Sequence, residues 1–246
     1  MTLTDHLLAL AHGDERAVLL TIVEGDREVG RKVLVLLDRD QVIGDDPLGL
    51  APLAAEQRRS GMIEHAGLKV FADVFGPAPR LVVVGAVDTG EALCAAAKQV
   101  GWRTICVDAR AQYATPERVP SADEIVVDWP EPAFAQIRPD RDTAVVVLTH
   151  DDKFDIPALA AALRSDAFYV GALGSRRAQE KRRERLLGAG VTEQQLDRLR
   201  GPAGLDIGAE SPAETAVSIL GEALALRAGR LGGPLREAAG RIHVER

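Results

Sequence analysis

Two stretches of the chain combine glycine with polar side chains where an apolar run ends. Val84-Gly85-Ala86-Val87-Asp88-Thr89-Gly90 follows the run Leu81–Val84 and opens a helical pattern. A dinucleotide-binding turn needs glycine for the turn itself, for close approach of backbone to pyrophosphate, and for helix–strand packing. Gly85 and Gly90 fill the first and third places. Val87 stands in the second, and Asp88 adds negative charge where pyrophosphate would sit. The stretch therefore reads equally as a ligand turn and as a plain tight turn. The second stretch is Gly171-Ala172-Leu173-Gly174-Ser175-Arg176-Arg177. Small residues, a hydroxyl cap and two guanidinium groups at a helix start suit an anion better than they suit a merely solvated basic helix.

Other candidates sit at strand ends. Asp108 closes the run Arg103–Val107, where an acid would meet a ribose in a Rossmann half, and Arg110 follows it by two residues. Thr149-His150-Asp151-Asp152 leaves the most strand-like run, Thr143–Leu148. His150 and Asp151 suit a base, a ligand contact or a metal ligand, or the loop caps the next helix through Asp155. Asp206, Glu210 and Glu214 precede the last helix and either orient a cofactor or cap the loop. Cys94 and Cys106 read as small buried hydrophobes, since neither has an evident basic neighbour to activate it.

The elements that would position these residues change character along the chain. The first part gives a helix over Thr4–Ala11, strands at Ala17–Val23 and Lys32–Leu37, and a hairpin return at Gln41–Gly44. A helix follows at Pro47–Arg59 with Asp46 as N-cap, then a strand at Lys69–Phe75. Gly76-Pro77-Ala78-Pro79 forms a stiff break. Beyond it, strands at Leu81–Val84, Arg103–Val107, Glu124–Val127, Thr143–Leu148 and Phe168–Val170 alternate with helices at Thr89–Val100, Asp155–Arg164, Ser175–Leu187 and Pro212–Arg227. Short apolar strands alternating with helices predict a parallel sheet covered on both faces. The fold class expected is thus α/β: a small α+β domain over 1–76, then a Rossmann-like domain over 80–246. The helix Arg176–Arg185 carries a local charge of +4.

Composition narrows the function. The 246 residues have a net charge of −7 and are 46% apolar, which supports a packed core and disfavours global affinity for nucleic acid or anionic membrane. Two Trp and two Tyr leave little for stacking single-stranded nucleic acid. No apolar run approaches the roughly 20 residues of a membrane span. The N-terminal residues lack a signal-peptide pattern, and two cysteines give neither a disulfide framework nor a four-ligand zinc site. A cytoplasmic setting is expected.

A set of these motifs resembles one family. Pro79-Arg80-Leu81-Val82-Val83-Val84-Gly85-Ala86, Val107-Asp108-Ala109-Arg110, Tyr113-Ala114-Thr115-Pro116-Glu117-Arg118, Val127-Asp128-Trp129-Pro130, Thr149-His150-Asp151, Tyr169 to Arg177, Gly204-Leu205-Asp206-Ile207-Gly208-Ala209 and Ser211-Pro212-Ala213-Glu214 occur in order across about Pro79–Arg227. Together they resemble the xanthine dehydrogenase accessory proteins, the XdhC/CoxI family. The resemblance implies a cofactor chaperone rather than an enzyme. It would bind the molybdenum cofactor, as molybdopterin or its dinucleotide form, during maturation and insertion into a molybdenum hydroxylase apo-enzyme. A sulfurtransferase and a second copy of the chain are the further partners implied. Family members also carry a Gly-Ser-x-Pro-Arg stretch and a Gly-Gly-Gly-Cys-Glu-like stretch. Here the corresponding segments read Glu24-Gly25-Asp26-Arg27 and Gly44-Asp45-Asp46-Pro47-Leu48-Gly49, without the cysteine or the glycine cluster. The expected cofactor residues are Gly85, Asp108, Arg110, His150, Asp151, Gly171, Gly174, Ser175, Arg176, Arg177 and Asp206. Two rivals remain: an NAD(P)-dependent oxidoreductase using Asp108 and His150, and a ligand-free assembly or regulatory protein.

Overall fold

The structure is a computed structural model and describes residues 2–11, 13, 15–57, 60–149 and 151–238. It divides into two compact units, Met1–Pro77 with Gly233–Arg246, and Ala78–Gly232.

In the first unit, helix α1 (Leu3–Ala11) precedes strands β1 (Ala17–Glu24), β2 (Lys32–Leu36), β3 (Gln41–Ile43), β4 (Gly61–His65) and β5 (Leu68–Phe75). They form one antiparallel sheet in the order β3-β2-β1-β5-β4. Side chains alternate along β1, so Val18, Leu20 and Ile22 enter one core and Ala17 and Leu19 the other. The second core takes Leu3, Leu7 and Leu10 of α1. Because both faces are covered, β1 reads as a continuous apolar run rather than an alternating one.

The helix expected over Pro47–Arg59 does not form. A short 3-10 turn at Ala51–Glu56 stands there instead. The reason lies in Gly49, at φ +65°, and in Asp46. Its carboxylate accepts the backbone N–H groups of Leu50 (2.7 Å) and Ala51 (2.8 Å) rather than those of a helix beginning at Pro47. Strand β4 is a further element that the sequence pattern does not announce.

In the second unit, β6 (Arg80–Val84), β7 (Arg103–Val107), β8 (Glu124–Val126), β9 (Thr143–Val147), β10 (Tyr169–Ala172) and β11 (Leu199–Arg200) form a sheet in the order β11-β10-β9-β6-β7-β8. Every pairing is parallel. This is the Rossmann order, reversing between β6 and β9. Helices α2 (Asp88–Gln99) and α7 (Pro212–Arg227) pack with Leu81 and Val83 in one core. Helices α3 (Pro130–Ile137), α4 (Asp152–Arg164), α5 (Arg176–Gly188) and α6 (Glu193–Leu196) pack with Val82 and Val84 in the other. The expected α/β class is therefore what the chain adopts. Helix α3 has no clear signal in the sequence. Its eight residues include Pro130 and Pro132, with Pro130 at the helix start, where no intrahelical N–H is needed.

Candidate functional site at the carboxyl edge of the parallel sheet

Parallel order sends the chain out of each strand on the same edge. Gly85 follows β6, Asp108 follows β7, Asp128 lies just beyond β8, Thr149 beyond β9 and Gly174 beyond β10. Open α/β sheets bind ligands on this edge, at the point where strand order reverses. A shallow cleft opens there, lined in part by Asp108, Asp128, Pro130, Thr149 and Phe154.

Two glycines hold the first turn together. Gly85 has φ +116°, and a Cβ on it would lie 2.9 Å from Cγ2 of Thr149. A Cβ on Gly90 would lie 2.6 Å from the carbonyl oxygen of Gly85, so glycine lets α2 press against the turn. Val87 is extended and caps α2 without a side-chain bond.

Asp108 is buried and saturated. Its Oδ2 accepts the N–H of Ala86 at 2.9 Å and Nη2 of Arg110 at 2.7 Å. Its Oδ1 accepts the N–H of Arg110 at 3.0 Å and Nε of Arg110 at 2.9 Å. A carboxylate offers roughly four lone-pair positions, so none is left for the ribose hydroxyls expected from the sequence. Asp108 instead ties the first turn to Arg110. The guanidinium of Arg110 lies 4.5 Å from the ring centre of Tyr113 and 5.9 Å from that of Phe154. Phe154 stacks on half-exposed Trp129, with ring centres 4.8 Å apart and planes at 26°. Arg118 joins the same corner, its Nε donating to the carbonyl of Ala86 at 3.1 Å with the guanidinium 5.3 Å from the Tyr113 ring.

Burial pushes the Asp108 carboxyl up. The Arg110 side chain and the backbone N–H groups of Ala86 and Arg110 outweigh it and hold the group below its ordinary value. A carboxyl lowered on folding stabilises the native state fully above its unfolded pKa. That contribution is lost as pH falls through the lower folded value. Asp108→Asn is therefore expected to cost about 2 kcal/mol at pH 7, with the difference from the unsubstituted chain narrowing below about pH 4. Urea melts at both pH values check this, and a gap that stays constant with pH would contradict it.

Behind the cleft, a buried polar chain runs from Thr149, which packs against Gly85, to the second glycine turn. Asp155, inside α4, accepts the hydroxyl of Thr149 and, through Oδ2, Nη2 of Arg182 at 3.1 Å. The side chains of this ion pair are 3% and 8% exposed. Nη1 of Arg182 donates to Oε1 of Gln179 at 2.6 Å, and Nε2 of Gln179 donates to the carbonyl of Leu173 at 3.3 Å.

The remaining expected residues fall as follows. Asp151, not Asp155, caps α4, accepting the N–H of Lys153 at 3.0 Å. His150 lies outside the described residues. Gly171 is not part of a ligand turn. It sits within β10, where a Cβ would lie 2.7 Å from the ring of buried Tyr169, so its smallness serves packing. Gly174, at φ +126°, makes the second turn, and Ser175 caps α5 by accepting the N–H of Ala178 at 3.3 Å. Arg176 and Arg177 are exposed, without partners among the described residues. The helix is less one-sided than its composition suggests: Arg182 pairs with Asp155, Arg183 with Glu193 and Arg185 with Asp152. Asp206 is exposed in the loop before α7, whereas Glu214 closes a capping box with Ser211. Cys94 and Cys106 are fully buried free thiols, pushed up by burial, Cys106 to about 12.

Comparison with known proteins agrees with this architecture. Residues 81–223 match the XdhC Rossmann domain. The chain is 31% identical over 158 residues to a Bacillus subtilis protein described as a probable xanthine dehydrogenase subunit, covering 64% of this chain and 46% of that one. It is 36% identical over 96 residues to the Escherichia coli molybdenum cofactor insertion chaperone PaoD, covering 39% and 30% respectively. The aligned part thus spans less than half the length of each of these relatives. A crystal structure titled as a Bacillus halodurans xanthine dehydrogenase superposes with a TM-score of 0.57 at 20% identity, over 97% of this chain and 98% of that one, which is a likeness of fold. With its match running from β6 into α7, the chain belongs to the XdhC family.

Proposed function

We propose that this protein is a molybdenum cofactor chaperone that carries the cofactor to a molybdenum hydroxylase apo-enzyme. The observation behind this reading is the carboxyl-edge cleft, lined by Phe154, whose ring stacks on Trp129 and lies 5.9 Å from the guanidinium that Asp108 fixes. A phosphorylated pterin has matching parts: a planar heterocycle and a terminal anion. The anion is assigned to Ser175, Arg176 and Arg177 at the start of α5. β10 lies next to β9, which lies next to β6. At about 4.8 Å per strand, the second turn is then roughly 10 Å from the first. The molybdenum arrives held by the dithiolene of its own pterin, so the chain need not supply a metal ligand. With both thiols buried and protonated, sulfuration of the cargo falls to a separate sulfurtransferase.

Saturation of Asp108 argues against the oxidoreductase reading, which needs that carboxylate for a ribose. The deciding measurement is mass spectrometry of small molecules released from protein purified undenatured from a molybdenum-replete host. Molybdopterin or its oxidised pterin is the expected product. Recovery of NAD(P) instead, or of no ligand, would overturn the proposal. Arg176→Ala with Arg177→Ala is expected to lower cofactor retention at low salt, and the loss should shrink as salt rises. Unchanged retention at low salt in the folded double variant removes this turn from the site.

A further inference from the structure

Resting on that reading, we infer that Asp128, with Phe154 and Trp129, forms a recognition subsite for the 2-amino-4-oxopyrimidine ring of the pterin. The cargo would then lie with its ring across the mouth of the cleft and its phosphate turned toward α5.

Three observations carry this. First, the charge around the cleft is wrong for an anion. Arg110 is spent on Asp108 through two side-chain bonds, while Asp128 lines the cleft and Asp151 is close enough to act on Arg110. A phosphate placed here would meet two carboxylates, and the guanidinium of Arg118 in the same corner is shared between Asp88 at 3.7 Å and the Ala86 carbonyl. Second, Asp128 has spare acceptor capacity. Its Oδ1 accepts the N–H of Trp129 at 2.7 Å, and its other oxygen has no partner among the described residues. A carboxylate facing adjacent ring N–H and amino groups accepts from both at once. The 2-amino-4-oxopyrimidine edge presents that pair of donors. Third, Phe154 lines the cleft and is braced by Trp129, which provides an aromatic surface for a planar ring. The enclosed space there has room for about one water, so the ring would lie across the mouth of the cleft, against Phe154 and Asp128.

Guanine carries the same donor edge as a pterin, so the test must separate them. The probes are 6-hydroxymethylpterin, its lumazine counterpart with a 2-oxo group in place of the 2-amino group, and guanosine 5′-monophosphate. Affinities are read by calorimetric titration of the full chain. Tighter binding of the pterin than of the lumazine, by about tenfold or more, is expected, because the lumazine sets a carbonyl against the carboxylate. Asp128→Asn should erase most of that preference. Phe154→Leu should weaken both pteridines by about tenfold through lost stacking while leaving the preference in place. Circular dichroism establishes that each variant is folded. Equal affinity for the two pteridines, failure of both to bind, or a preference that survives Asp128→Asn would overturn the inference. Guanosine monophosphate binding as tightly as the pterin would overturn its assignment to a pterin. If these titrations fail while the purified protein still carries molybdopterin, the chaperone reading stands and only the placement of its ring falls. If the pterin binds as expected but no molybdopterin is recovered, the subsite stands and the chaperone reading falls.

Discussion

Arg182→Ala is expected to destabilise the parallel-sheet unit by about 3–5 kcal/mol, because it leaves the Asp155 carboxylate charged and buried without its guanidinium. For a unit of this size that corresponds to a fall in melting temperature of roughly 6–20 °C. The loss should reach both glycine turns, since the Asp155–Arg182–Gln179 chain touches Thr149 at one end and the Leu173 carbonyl at the other. Two neighbours on the same helix supply the contrast. Arg183 and Arg185 form ion pairs with side chains about half exposed, and exposed pairs contribute less than about 1 kcal/mol. Scanning calorimetry of the three alanine variants separates the cases. A shift for Arg182→Ala no larger than those of the other two would contradict the buried-pair account. Replacing both Asp155 and Arg182 by leucine should recover much of the loss, because apolar residues of similar volume stand in well for a buried pair.

Gly85→Ala is expected to cost on the order of 3 kcal/mol through two separate effects. The backbone at φ +116° is one that L-residues rarely adopt, and the added methyl would come within 2.9 Å of the Thr149 side chain. Gly101→Ala isolates the first effect. Gly101 has φ +78°, and a methyl added there would meet nothing within 4 Å, so about 1 kcal/mol of backbone strain is all that should appear. The difference between the two variants in denaturant melts measures the close approach of β6 to the end of β9. Equal costs would mean that Thr149 moves aside freely.

The frame of the molecule is legible in the sequence where a single local signal decides. Leu81–Val84, Arg103–Val107 and Thr143–Leu148 are short, largely apolar runs, and they are adjacent strands in the sheet. Ser211 followed by Pro212 and Glu214 marks a helix start, and α7 begins there. Legibility fails where the outcome depends on a distant partner. Arg182 looks like every other cation of α5, and its burial is decided by Asp155, 27 residues earlier. Asp108 stands out by its place at a strand end, but its use by Arg110 and Ala86 is a matter of geometry. Trp129 and Phe154 lie 25 positions apart, so no spacing rule joins them. The stretch Val127-Asp128-Trp129-Pro130 belongs to the family resemblance without indicating that Asp128 faces a cleft. Asp46 shows the converse failure: a good cap residue before a proline serves a 3-10 turn instead of a helix.

The two cysteines turn the second unit into its own reporter of transient opening. Cys94 lies on α2 and Cys106 on β7, both with no exposed surface, and each is held as the unreactive thiol. An alkylating reagent therefore reaches them only when the packing of α2 against the sheet comes apart. Where reclosing is faster than alkylation, the labelling rate follows the population of that open form. The proposed chaperone role requires that cargo be both held and released. The speed with which these thiols are trapped, with and without ligand, puts a clock on the looseness that release requires.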